Sequence, residues 1–527
     1  MRLLARLLAL PALAGLTLAL VLTASGLSTA PVVERVSIAS SGAQALGSSQ
    51  SASLSADGRY VAFSSDASGL VPGDTNGARD VFVHDRVTGI TERVSVSNMG
   101  EQANGASAGL LAGGPRISGD GRYVAFASEA SNLVAADGNG TTDVFVRDRV
   151  AGTTERVSVA AGVAEAHGES VTPSISADGR YVTFTSLASD LVAGDDNNDR
   201  DVFVRDRMAG TTELISVTLD GTPGDRASGG LGAGPARVTP DGRFVVFGSF
   251  ATDLVAGDAN NFDDVFVRDR VAGTTERVSV ATDGSEGNGH SVYGTISDDG
   301  RFVAFSSPAD TLTLPDANGA SDVFLRDRDA DTTARLSDAP GGQANGGSSF
   351  AAISGDGSAV AYQSDASNLV TGDANMTADV FLKDVASGTI ERISEAIAGE
   401  ANGASLFAAL SADGDAVAFE SAASNLVAGD SNSASDVFVW GKPLRVPPPQ
   451  PTATRTPTPP TAVTGDADCS GDVNSVDAAL ILQLAAGLLT GLPCPVGADA
   501  NEDGRIDPVD AALVLQFVAG LLDELPP

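Results

Sequence analysis

Residues 178–207 read DGRYVTFTSLASDLVAGDDNNDRDVFVRDR, and variants of this phrase occur six more times along the chain. The Asp-Gly pairs begin at Asp57, Asp120, Asp178, Asp241, Asp299, Asp356 and Asp413, with periods of 63, 58, 63, 58, 57 and 57. Two further landmarks keep fixed offsets. Asp-x-Asn starts 17 positions on, at Asp74, Asp137, Asp195, Asp258, Asp316, Asp373 and Asp430, and Asp-Val-Phe starts 23 positions on, at Asp80, Asp143, Asp201, Asp264, Asp322, Asp379 and Asp436. Length therefore varies only between one repeat and the next, the signature of an array of one supersecondary unit.

Each unit contains four short runs rich in Val, Ile, Phe, Tyr and Thr, bounded by Gly, Asp and Asn. In the third repeat they are residues 173–176, 180–186, 201–207 and 211–217. Four strands joined by turns make an antiparallel meander, and a ring of such sheets is a β-propeller. Runs such as RYVAFSS and DVFVRDR are apolar on both alternating faces, as expected of a sheet sandwiched between neighbours. The fold class is thus mainly β, a seven-bladed β-propeller.

The ends of the repeats agree with closure of the ring. The fourth run, TERVSV, follows every DVF except the last, and its missing copy is VVERVSI at residues 32–38. Glu34 precedes Asp57 by 23 positions, as Glu155 precedes Asp178 and Glu276 precedes Asp299. The N-terminal strand is expected to complete the last blade and remove an exposed sheet edge.

These units, in SADGRYVAFSS, SGDGRYVAFAS and TPDGRFVVFGS, resemble the TolB-like (WD-type) propeller repeats of bacteria, over about 410 residues. The resemblance implies a platform for proteins or ligands, in some relatives appended to a peptidase. It specifies a fold rather than an activity.

Residues 1–30 read as an export signal: Arg2 and Arg6 precede an apolar run over residues 7–22 and a small-residue stretch, TASGLSTA. Retention of the run as an uncleaved N-terminal anchor is the alternative, and the only membrane attachment expected. Either way the propeller, over residues 31–445, is placed outside the cytoplasm, secreted or at the cell surface. With 32 basic and 68 acidic residues the net charge is −36, which disfavours nucleic acid and anionic membranes as partners and favours divalent cations. Residues 446–463, VPPPQPTATRTPTPPTAV, form a Pro/Thr spacer that cannot build a core.

A second domain, residues 464–527, carries a duplicated loop and helix, DADCSGDVNSVDAALILQLAAGLL and DANEDGRIDPVDAALVLQFVAGLL, offset by 33. Oxygen-bearing side chains stand at loop positions 1, 3, 5, 9 and 12: Asp466, Asp468, Ser470, Asn474 and Asp477 in the first copy, and Asp499, Asn501, Asp503, Asp507 and Asp510 in the second. Gly471 and Gly504 occupy position 6, and Asp472 or Arg505 at position 7 would offer a backbone carbonyl. Oxygens converging from a short loop with a central glycine suit calcium, one ion per loop.

This tandem resembles a type I dockerin, a module that folds around calcium and binds cohesin-like modules, often in polysaccharide degradation. The resemblance assigns the loop residues above as calcium ligands. It also assigns Ser475, Val476, Pro508 and Val509 as partner-selecting positions, although the pairs are not the usual Ser-Thr type. Ser470 is a weaker ligand than Asp, and the helices lack the Lys-Arg common in the family. Cys469 and Cys494, both within this module, are expected to form a disulfide, with two free thiols as the alternative.

Within the propeller His84, His167 and His290 occupy unrelated points of the repeat and are read as structural. The Gly-x-Ser-x-Gly match at residues 105–109, centred on Ser107, belongs to a recurring inter-blade loop and lacks the strand-to-helix context of a hydrolase nucleophile. The Asp-x-Asn loops share one rim with the inter-blade loops. They are read as turns closed by Asn and Asp on local backbone, with calcium in each loop as the alternative. The acids recur in register, so no asymmetric catalytic set stands out. The sequence is read as an exported, noncatalytic binding protein whose propeller takes a protein or glycan ligand and whose tail docks it to a cohesin-like partner. The rival is a carbohydrate-active enzyme, a propeller glycoside hydrolase or lyase.

Overall fold

A computed structural model of the 527-residue chain describes residues 31–109, 113–160, 165–230, 232–397, 399–442, 444, 464–467, 472–486, 488, 489, 491, 492, 494, 498–501, 505–522 and 525. The expected export segment and the Pro/Thr spacer lie outside the described residues. Two compact units are present, Met1–Arg445 and Val446–Pro527.

The first unit is a seven-bladed propeller of four-stranded antiparallel sheets. Six blades take their strands consecutively; in the third, Ser170–Ile175, Tyr181–Ser186, Asp201–Asp206 and Thr211–Leu214 lie in that order. The seventh is assembled from both ends of the propeller. Val32–Arg35 pairs with Asp436–Gly441, in the register Val32 with Gly441 through Arg35 with Phe438, ahead of Ala416–Ser421 and Ser405–Leu410. The ring is closed as the repeat arithmetic requires.

The second and third strands of each blade are the core. In Tyr60–Ser65 and Asp80–Asp85 every position but Tyr60 is buried, because both faces of the sheet meet neighbouring blades. A Phe or Tyr from the second strand stacks on a Phe from the third in every blade, as Phe63 on Phe82 with centroids 5.9 Å apart and Tyr362 on Phe381 at 6.0 Å. Full burial of one such ring contributes roughly 1.5–3 kcal/mol.

The Asp-Gly turn joins the first two strands. Asp57 Oδ1 accepts from the Ser55 hydroxyl and the Arg59 N–H, while Gly58 takes φ of +66°, a left-handed conformation that glycine enters without a Cβ penalty. The turn glycine also lies against the previous blade, and a Cβ at Gly121 would stand 2.1 Å from the Tyr60 ring.

Blades are tied by a repeated arginine relay. Arg149 bonds Glu92 on the outer strand of the preceding blade at 2.6 Å and lies over the Tyr60 ring, and Arg270 and Arg328 repeat both contacts. Arg86 reaches Glu34, so the N-terminal strand joins the relay.

The second unit contains helices α1, Ser475–Ala485, and α2, Pro508–Val518. They close a small core of Ala467, Ala478, Ile481, Ala498, Ala511 and Val514. Among the described residues no helix is long and apolar enough to cross a membrane.

Deleting residues 31–40 opens the seventh blade. The truncated protein is expected to lose its cooperative unfolding transition or to aggregate in scanning calorimetry, and an undiminished melting temperature contradicts closure by this strand.

Candidate functional site

Innermost strands line the central channel, which holds a space of about 300 Å³ and a second of about 160 Å³. Arg116, Arg237 and Thr295 border both. The arginines stand four positions before Asp120 and Asp241, where the other repeats place Ser53, Ser174, Thr295, Ala352 and Ala409. They belong to blades 2 and 4, the two that follow the longer 63-residue periods.

Among the described residues neither guanidinium has a hydrogen bond or ion pair, and the Nε of each is sealed from solvent. Burial pulls Arg116 well below the usual arginine range, helped by repulsion from Arg237, and brings Arg237 down to about 10. Both side chains keep a partial opening to the channel.

The same space is lined by an aromatic wall. Tyr293 and Phe350 lie 4.2 Å apart between centroids, and Phe350 and Phe407 meet edge to face at 4.7 Å. All three occupy a β-bulge in the first strand, where pairing shifts between Val292 and Thr295, Ser349 and Ala352, and Leu406 and Ala409. The bulged residues take φ of +56°, +55° and +53°, a region that costs bulky side chains energy. The bulge redirects each ring out of the blade and into the channel. Freed backbone is satisfied across blades: the Phe350 N–H donates to the Ser306 hydroxyl and the Phe407 N–H to Gln363.

On the long-loop rim the Asp-x-Asn segments have a different partner from the one expected. Each Asn does close its turn on backbone, as Asn76 Oδ1 accepts from the Ala78 N–H. In six blades the first Asp is held by arginine. One guanidinium nitrogen of Arg93, Arg156, Arg277, Arg335, Arg392 or Arg35 lies 3.1–3.8 Å from both that Asp and the Asp-Val-Phe aspartate. Asp137, Asp143 and Glu165 cluster closely enough to suggest a metal. Arg156 Nη1 nevertheless lies 3.5, 3.2 and 2.8 Å from the three, so a cation already occupies the centre.

Blade 3 is the exception, because Leu214 stands in the arginine position. Asp195 and Asp201 are 8% and 0% exposed, and burial pushes Asp201 up to about 6, opposed by bonds from Ser216 and Asn197.

The three histidines sit apart. His84 is buried against the Thr91 hydroxyl at 2.8 Å, and burial lowers its pKa. His167 is paired with Asp190 on the surface, and His290 with Asp263 at 3.0 Å. Ser107 is fully buried and bonds Ser128 at 2.8 Å, a pair matched by Ser49 with Ser65 and Ser405 with Ser421, so it offers no exposed nucleophile.

In the tail, Asp468, Cys469, Ser470 and Asp503 lie outside the described residues, as do Gly471 and Gly504. Asp477 and Asp510 are buried in the first turn of α1 and α2, and Asp466 is 5% exposed. Asp477 accepts from the Ala467 and Asn474 N–H groups at 2.9 and 2.8 Å, and Asp510 accepts from Ala500 and Asp507 at 2.8 Å each. Asn474 and Asp507 cap the helices by accepting from the Val476 and Val509 N–H groups. Positions 9 and 12 of each loop therefore also form a capping box. Asp499 and Asn501 are half-buried, whereas Asp472 and Arg505 are exposed. Ser475, Val476, Pro508 and Val509 are exposed at the helix starts. Cys494 is disulfide-bonded.

The fold and site define a seven-bladed propeller with an arginine-flanked channel, followed by a two-helix tail. No protein-family model matches the chain, and no curated protein matches it. Solved propellers are similar at low identity. A putative TolB from Agrobacterium tumefaciens is 16% identical with a TM-score of 0.36, covering 67% of this chain and 94% of that one. TolB from Acinetobacter baumannii is 14% identical with a TM-score of 0.34, over 65% of this chain and only 62% of its own length. An oligogalacturonate lyase from Vibrio parahaemolyticus is 12% identical with a TM-score of 0.44, over 78% and 97%. Identities of this size concern the fold, not the activity.

Two substitutions test the rim electrostatics. Arg277→Leu strands Asp258 and Asp264 in the interior and is expected to cost about 3 kcal/mol in urea unfolding at pH 7. In blade 3, Asp201 holds a proton in the folded state that the unfolded chain has released between pH 3.8 and about 6. Its contribution to stability therefore falls as pH rises through that window. Leu214→Arg supplies the missing charge, so the variant's stability is expected to fall less over the same window.

Proposed function

We propose that this chain is an exported, noncatalytic binding protein whose propeller holds a protein or glycan ligand and whose tail is a calcium-dependent, dockerin-like module that docks to a cohesin-like partner. The observation that carries the docking reading is the repeated pair of buried aspartates at loop position 12. Asp477 and Asp510 are 0% and 1% exposed in the first turns of α1 and α2. A buried carboxylate calls for a compensating cation. Backbone N–H groups of Ala467 and Asn474 hold Asp477, and those of Ala500, Asn501 and Asp507 hold Asp510, which fixes both carboxylates at the loop ends; the donor set of carboxylate and amide oxygens in the two loops suits calcium. Calcium in the loops would draw Asp466 and Asp499 toward Asp477 and Asp510.

The partner-facing side is duplicated with the same 33-residue offset. Val476 and Val509 are each 54% exposed, Leu482 and Leu515 are 43% and 45%, and Leu488 and Leu521 are both 75%. Apolar side chains held in solvent at equivalent places on the two helices and just beyond them form two like faces, each suited to a protein partner.

The propeller contributes the ligand site. Most of its charged residues recur in register and are engaged in pairs within or between blades, which leaves the channel and the long-loop rim to bind. Delivery to an extracellular or cell-surface assembly follows from the export-like segment.

Calorimetry of the full chain in calcium and in chelator tests the tail. A second unfolding transition is expected to appear only with calcium, and metal analysis should return about two ions per chain; about nine would place calcium in the propeller loops as well. Identical traces in both conditions contradict the module. A glycan array and a cohesin pull-down then read the two binding roles, and turnover of an array hit would favour the enzyme reading.

A further inference from the structure

We propose that the central channel is an oxyanion site, in which Arg116 and Arg237 grip a carboxylate, sulfate or phosphate group while Tyr293, Phe350 and Phe407 pack against the ring that carries it. This rests on the reading of the propeller as a ligand platform and names the chemistry of its ligand.

The two arginines have no counterpart in the repeat, since five of the seven blades place Ser, Thr or Ala at the same position. Among the described residues they are also the arginines of the ring whose guanidinium has no hydrogen bond or ion pair, since Arg147, Arg205 and Arg268, which lack an acid, each bond a threonine hydroxyl. Arg59, Arg93, Arg149 and Arg277 all pair with carboxylates. In a chain with 68 acidic and 32 basic residues, two cations without an acid partner do not reflect a shortage of acids. Glu420, close to the channel wall, accepts from the Ser51 N–H at 3.1 Å and makes no ion pair with either arginine.

A guanidinium does not release its proton in a protein. Arg116 and Arg237 therefore sit charged in a partly desolvated channel and repel one another in the free protein. A bound oxyanion removes both costs, and the planar forks of two arginines match its oxygens in bidentate geometry. The aromatic wall belongs to the same device. Its three rings are held in left-handed backbone at consecutive blades 5, 6 and 7, whereas Ser51 and Thr172 occupy the equivalent bulges of blades 1 and 3. The bulge itself thus belongs to the repeat, and what is particular to blades 5, 6 and 7 is the aromatic side chain it carries into the channel. A space of about 300 Å³ admits one ring and its charged group.

Titration calorimetry of the full-length protein with inorganic phosphate, phenyl phosphate and glucuronate tests the site and separates aromatic from sugar carriers. Phenyl phosphate or glucuronate is expected to bind more tightly than inorganic phosphate. Arg116→Gln and Arg237→Gln should each weaken binding at least tenfold. Phe350→Leu should weaken only the ring-bearing probes. The free arginine variants should melt no lower than the unmodified protein, because they shed an uncompensated charge; a lower melting temperature assigns the pair a structural role and overturns the proposal. So does the absence of binding by all three probes, or an affinity in both variants equal to that of the unmodified protein. If a ligand found on the glycan array binds the double variant undiminished, the platform reading stands and the oxyanion site falls.

Discussion

The ring depends on a buried aspartate at the start of each third strand. Asp80, Asp143, Asp201, Asp264, Asp322, Asp379 and Asp436 are all fully buried. Each accepts a hydroxyl bond of 2.5–2.6 Å from a serine, such as Ser95 or Ser216, that lies just beyond the fourth strand. A carboxylate removed from water must be surrounded by donors. In most blades the Asn of the preceding loop and the Arg of the fourth strand provide them, as Asn76 and Arg93 do for Asp80. One desolvated anion thereby fixes three segments at once, which explains why Asp-x-Asn, Asp-Val-Phe and Arg-Val-Ser keep constant spacing while the connections between blades change length.

This arrangement leaves function to what departs from it. Acids on the repeated framework are occupied by neighbours: Asp148 and Asp269 are held near 2, chiefly by the side-chain bonds from Arg122 and Arg243. The departures are few. Leu214 removes a cation from one blade, Arg116 and Arg237 add cations to the channel, and three consecutive blades place aromatic rings at the bulge.

Blade number, strand order and the completion of the last blade from the N-terminal strand were legible in the sequence, because turn chemistry and hydrophobic pattern act over a few residues and repeat seven times. The lining of the channel was not. Tyr293, Phe350 and Phe407 read as ordinary strand residues, since alternation assigns them to a blade face, and only the bulge turns them inward. Arg116 and Arg237 escaped a search for acids and histidines that break the symmetry, although counting back four positions from each Asp-Gly isolates them. The arginine partner of the Asp-x-Asn loops was hidden for another reason: Arg93 lies 19 residues after Asp74, a distance that no local turn rule spans. In the tail, the two helix starts were legible from their 33-residue offset.

Closure through the first strand also sets a timetable. Six blades complete themselves from contiguous chain, so each is able to collapse soon after it is made. Val32–Arg35 must wait for Asp436–Gly441, some 400 residues downstream. Until that pairing forms, both edges of the unfinished ring offer unpaired backbone to any passing strand. Assembly of this molecule is therefore most vulnerable at its last step, when a nearly whole ring lacks only the strand that was synthesised ahead of all its others.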